Sequence, residues 1–295
     1  MSAAATLLAA LALGQFAPYV RSRVTPGNTT TQCLYWTVPQ VTWHQASQGN
    51  PGTPGDSEFE AVRVSFKSWE DIFARCGNLS LREGPVIDER RVGYRRNEQN
   101  NNNVVLFRTR NCSAVVAEND ACWKEETCAN EFDCWDDDAS TLAITLTTYD
   151  KRSGIIFDSD ISFNAGQYTF TTANGPMCTP VVTTNCVATD VQNTATHEIG
   201  HFIGLDHTRA AGSTMNPSAE LGEVSKRTID SGSSSFVCDV YPKGRASQAC
   251  LHPVVEDKLG KEGGGCASTG ASSMGAALGA WALWSLLGRK REGRS

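Results

Sequence analysis

Histidine is scarce in this chain: there are five in 295 residues, and three of them fall in one eleven-residue run. Only His44 and His252 remain outside it, so a second all-histidine metal site cannot be assembled. Basic charge is also short. The 26 Lys and Arg are outnumbered by 32 Asp and Glu, and a net charge of -6 argues against nucleic acid as a partner. There are no internal repeats, so the chain is not a repeat architecture. Cysteine is the opposite case. Eleven cysteines are too many for a reducing cytosol and follow no zinc-finger spacing, so they read as disulfides of an exported protein. With 40% hydrophobic residues, the chain can bury one sizeable core plus appendages.

The run that holds the three histidines reads His197-Glu198-Ile199-Gly200-His201-Phe202-Ile203-Gly204-Leu205-Asp206-His207. On a helix, His197 and His201 project from one face a turn apart, and two such imidazoles can hold one zinc ion at about 2.0–2.1 Å each. Gly204 can adopt the left-handed conformation that ends a helix, and the chain then returns His207 as a third ligand. Three protein ligands leave a fourth position for water, the mark of a catalytic zinc site. Glu198 stands beside the first ligand, where it can take a proton from that water without ligating the metal. The chemistry expected is peptide hydrolysis by activated water with no covalent intermediate. Two other readings fit the same ligands: a surface binding or adhesion module that keeps zinc for structure, and a metallohydrolase of a non-protein amide.

The pattern H-E-x-x-H-x-x-G-x-x-H resembles the metzincin metallopeptidases. Met215, in Ser213-Thr214-Met215-Asn216-Pro217, resembles that family's methionine turn beneath the zinc, and Pro217 resembles the matrixin branch. The resemblance runs over roughly residues 32 to 245. It implies an α+β catalytic domain with a twisted mixed sheet, an antiparallel strand along the cleft edge, an active-site helix and flanking helices. Cys33 to Pro39 reads as a first strand and Ser57 to Cys76 as a helix, with Phe59, Val62, Val64, Phe66, Trp69, Ile72 and Phe73 near 3.6 spacing. Residues 104–107 and 142–147 read as further strands. Residues 154–164 are expected at the cleft edge, with Ile156, Asp158 and Ile161 facing an extended peptide substrate. Leu142-Ala143-Ile144-Thr145 stands where vertebrate-type matrixins carry a histidine-bearing segment, so one zinc is expected. The family's cysteine-switch propeptide is missing, and Cys76-Gly77 is no substitute for it. Residues 218–237 are expected beside the substrate pocket, and their composition names no preference.

Neighbouring cysteines are the simplest pairing guess: Cys33 with Cys76, Cys178 with Cys186, Cys238 with Cys250, and adjacent partners among Cys112, Cys122, Cys128 and Cys134. The acidic stretch Asp133, Asp136, Asp137, Asp138 is a candidate calcium site. Residues 1–17 read as a signal peptide, 30–250 as the peptidase domain and 251–265 as a linker. In 266–295, Cys266 precedes an uncharged span at 267–288 and then Arg289-Lys290-Arg291. That order resembles the myxobacterial C-terminal sorting signal. It implies transient membrane anchoring, cleavage by a sorting protease near Cys266, lipid on that cysteine, and display on the outer surface of a bacterial cell. A monomer is expected.

Overall fold

The computed structural model describes residues 19–98 and 101–251. The leader at 1–17, the linker beyond Leu251, Cys266 and the span at 267–288 lie outside them. Among the described residues, no helix is long and apolar enough to cross a membrane.

The strands are β1 (Val20–Arg21), β2 (Gln40–Gln45), β3 (Ser80–Glu83), β4 (Asn103–Phe107), β5 (Ala143–Tyr149), β6 (Ile156–Phe163), β7 (Phe170–Thr171), β8 (Thr189–Asp190) and β9 (Leu205–Asp206). The helices are α1 (Ser57–Cys76), α2 (Cys112–Val115), α3 (Ala121–Glu125), α4 (Cys128–Phe132), α5 (Val191–Phe202) and α6 (Ser231–Val240). Five strands form the main sheet in the order β3-β2-β4-β6-β5, parallel except for β5, which runs antiparallel to β6. The molecule is therefore mixed α+β, as expected of a metzincin-like catalytic domain. Helix α1 spans the expected residues, and Val62, Phe66, Trp69, Ile72 and Phe73 form its buried stripe. Val64 falls off that stripe and is exposed. The core lies between the sheet and the two long helices, where Val105, Phe107, Ile161 and Phe163 meet Phe66, Trp69, Ile199 and Phe202. On the far face, Val104 and Leu106 pack beneath Ile87 and Val92. Burial on both sides explains the unbroken apolar run of β4.

Three expectations need correction. Cys33 to Pro39 is not a strand. Leu34, Tyr35 and Trp36 are buried but run against the end of α5, where Trp36 Nε1 donates to Phe202 O at 2.8 Å. The ladder begins only at Gln40.

The cleft-edge strand is β5, not 154–164. Strand β6 lies inside the sheet, with β4 on one side and β5 on the other. Its run Asp158-Ser159-Asp160 looks solvent-facing in sequence, but those side chains are buried and bonded within the protein: Asp160 accepts from Gly93 N at 2.6 Å and Val104 N at 2.7 Å. Ile156, Asp158 and Ile161 are accordingly buried and out of a substrate's reach.

The disulfides also differ from the neighbour rule. Cys178–Cys186 pairs as expected, but Cys33 joins Cys250 and Cys76 joins Cys238. In the cap formed by α2, α3 and α4, the pairs are nested, Cys112–Cys134 around Cys122–Cys128. Spacing favours sequence neighbours, whereas the fold carries α6 back to α1.

Candidate metal centre

Helix α5 begins where the Asp190 side chain caps it by accepting from Asn193 N at 2.7 Å. Trp69 of α1 donates to Thr196 O at 2.9 Å, fixing the turn that presents the first histidine. The helix ends at Phe202, and the chain reverses at Gly204, whose φ is +100°. A Cβ at that position would come within 2.5 Å of Leu34 O, so both the turn and the close approach require glycine. Strand β9 then pairs with β1, and His207 follows directly.

Nε2 of His207 lies 3.0 Å from Nε2 of both His197 and His201. His197 Nδ1 contacts Thr214 O at 2.7 Å, and His201 Nδ1 contacts Leu205 O at 2.8 Å. A carbonyl can only accept, so each of these rings carries its proton on Nδ1 and offers a bare Nε2. Lone pairs meeting at one point repel unless a cation lies between them. Tetrahedral zinc with bonds near 2.05 Å places its ligands roughly 3.3 Å apart, close to the spacing found. The three residues therefore fit zinc, and among the described residues they are the only such cluster able to hold a metal ion. Burial keeps the rings neutral, which is the ligand form: His201 is pushed down to about 4 and His197 well below its usual value. His207 is lowered too, by burial and by its two neighbours.

Glu198 is buried, and burial pushes its carboxyl up to about 7. A single side chain holds it: Thr145 Oγ1 of β5 donates to Glu198 Oε2 at 2.7 Å and lies 3.0 Å from Glu198 O. Nothing in the sequence pointed to Thr145, which stands 53 positions upstream on another strand. Thr214 was missed for a different reason: its carbonyl does the work, and no side-chain motif marks a carbonyl.

Met215 is buried directly beneath α5, against Gly200, where an added Cβ would collide with the methionine sulfur. Its turn is held from behind by Asp230, whose Oδ2 accepts from Thr214 N at 2.8 Å. Pro217 lines a cavity of about 330 Å³ beside His197 and Glu198. The acidic stretch is bonded elsewhere. Asp133 pairs with Arg90 and Arg108, Asp136 accepts from Ala129 N, and Asp138 accepts from Ser140. No three of these carboxylates come within ligating range of one another.

Residues 107–241 match the matrixin family of M10 peptidases. The matrixin-like stretch takes in the edge strand β5, helix α5, all three histidines and the methionine turn. It supports a zinc metallopeptidase in general. Helix α1 and the strands before residue 107 complete the sheet outside the matched stretch. No curated protein matches the chain.

Proposed function

We propose that this chain is an exported zinc endopeptidase, with His197, His201 and His207 as ligands and Glu198 as general base. The observation that carries the reading is the convergence of three imidazoles, two with their outer nitrogens fixed on carbonyls, beside a buried carboxylate and an open sheet edge. Zinc, when held there, supplies the Lewis acidity that makes an attacking water available at neutral pH and steadies charge on the carbonyl oxygen. The chain's own residues do the rest. Among the described residues strand β5 has a partner on one side only, so a peptide can add to it through main-chain hydrogen bonds. Thr145 occupies one oxygen of Glu198 and leaves the other to take the water's proton. Glu198 then returns that proton to the departing amine as the C–N bond breaks. Five disulfides among the described residues support export to an oxidising compartment. Surface retention by the Cys266 tail belongs to the same proposal.

Glu198→Gln tests the mechanism. Zinc content should be unchanged, and turnover on a casein or peptide substrate should drop at least about 10²-fold. Undiminished turnover in that variant would remove Glu198 from the reaction.

A further inference from the structure

We propose that Ser22, the residue after strand β1, is a positioning residue of the metal centre: it holds the turn that orients His201 and presents His207, and zinc affinity depends on it. The inference rests on the zinc reading above, but its residue lies outside the stretch 107–241 that matches the matrixin family. The three histidines are not held alike. His197 and His201 each spend Nδ1 on a carbonyl, Thr214 O and Leu205 O. His207 has no such anchor, and among the described residues its Nδ1 meets no hydrogen-bond partner. A ligand with no outer partner to fix its ring takes its place from its backbone. That backbone follows β9, whose strand partner among the described residues is β1, with Arg21 opposite Leu205 and Val20 opposite Asp206.

Ser22 grips the turn at two successive peptides. Its N–H donates to Gly204 O at 2.9 Å, and its hydroxyl donates to Leu205 O at 2.8 Å. A carbonyl oxygen has two lone pairs, so Leu205 O serves the serine hydroxyl and His201 Nδ1 together. Ser22 is itself fixed from behind, where its carbonyl accepts from Leu34 N at 2.8 Å. It is buried, and it borders a small cavity that Glu198, His201 and His207 also line. One hydroxyl thus ties the peptide between the second and third ligands to the N-terminal strand. Groups that orient metal ligands carry roughly 10- to 100-fold in metal affinity.

The test compares two buried serines in the full chain. Ser22→Ala removes the bond to Leu205 O. Ser65→Ala removes a similar bond away from the histidines, since Ser65 Oγ donates to Ala61 O at 2.8 Å and reaches Gln192 O of α5 at 3.2 Å. Zinc dissociation constants are read by competition with a chromophoric chelator, and folding by urea titration of the zinc-free proteins. Ser22→Ala should weaken zinc binding about ten-fold, and Ser22→Thr, which keeps the hydroxyl, should restore it. Ser65→Ala should lower the zinc-free midpoint comparably while binding zinc as the wild type does. Unchanged zinc affinity in Ser22→Ala, or an equal loss in Ser65→Ala, overturns the positioning role and leaves the peptidase standing. A wild-type chain that binds no zinc overturns the zinc reading, and the role of Ser22 with it.

Discussion

Glu198 and Asp160 are both buried carboxylates held above the usual range by desolvation, yet they are built for opposite purposes. Glu198 faces the cavity and the imidazole cluster with one hydroxyl bonded to it. Asp160 sits on the far face of the sheet, where two backbone N–H groups end on it and Asp158 lies beside it. Strand periodicity places Asp158 and Asp160 on one face, so the two acids share a proton. The two N–H donors favour charge on Asp160, but burial and the neighbouring Asp158 outweigh them and hold it well above the usual range. Burial alone therefore does not make a working acid or base. One carboxyl keeps a free oxygen toward a cleft, and the other spends both on its own backbone.

Matched isosteric substitutions should separate these roles. Glu198→Gln should cost turnover 10²–10⁴-fold, about 3–5 kcal/mol of barrier, while its denaturation midpoint stays level or rises. Asp160→Asn should do the reverse. An amide presents one acceptor where two N–H groups need one each, so stability should fall by about 2–3 kcal/mol in urea titrations, with kcat per folded molecule unchanged. Equal loss of activity in both variants would erase the distinction.

Asp158 tests the shared proton. Burial pushes it up to about 6, above the roughly 3.9 of an unfolded aspartate. The folded form thus holds a proton that the unfolded form releases first. That stabilisation is complete below about pH 4 and is lost as pH rises through 6, on the order of 3 kcal/mol. Asp158→Asn removes this titrating group and should flatten the midpoint between pH 4 and 7, while a slope equal to the wild type's would place the proton elsewhere. The smallest effect belongs to Thr145→Val. Loss of one hydrogen bond to Glu198, about 1 kcal/mol, should lower kcat roughly five-fold with KM unchanged, and Thr145→Ser should restore it.

The two carboxylates were not equally legible in the sequence. Glu198 stands in a contiguous run whose helix and turn alone bring three imidazoles together, so its neighbourhood followed from local periodicity. Residues 154–164 were placed at the cleft edge by family resemblance, whereas strand order depends on tertiary pairing, which sets β5 outside β6 and buries Asp158 and Asp160. Thr145 left no signal, since it reaches Glu198 through tertiary packing, whereas Lys226 falls within 218–237, the stretch expected beside the pocket. The same limit applied to the cysteines: Cys178 and Cys186 close a local loop, whereas Cys33 and Cys250 meet across 217 positions.

That last bridge also sets how the domain carries mechanical load. A pull on the chain beyond Cys250 passes through a covalent bond to Cys33. The force is handed to the segment leading into Leu34 and the buried Trp36, which pack against Gly204 and Phe202 at the end of α5. A pull from that side is therefore delivered next to the turn that presents His207, and Leu34 and Trp36 stand between it and the metal-ligating helix.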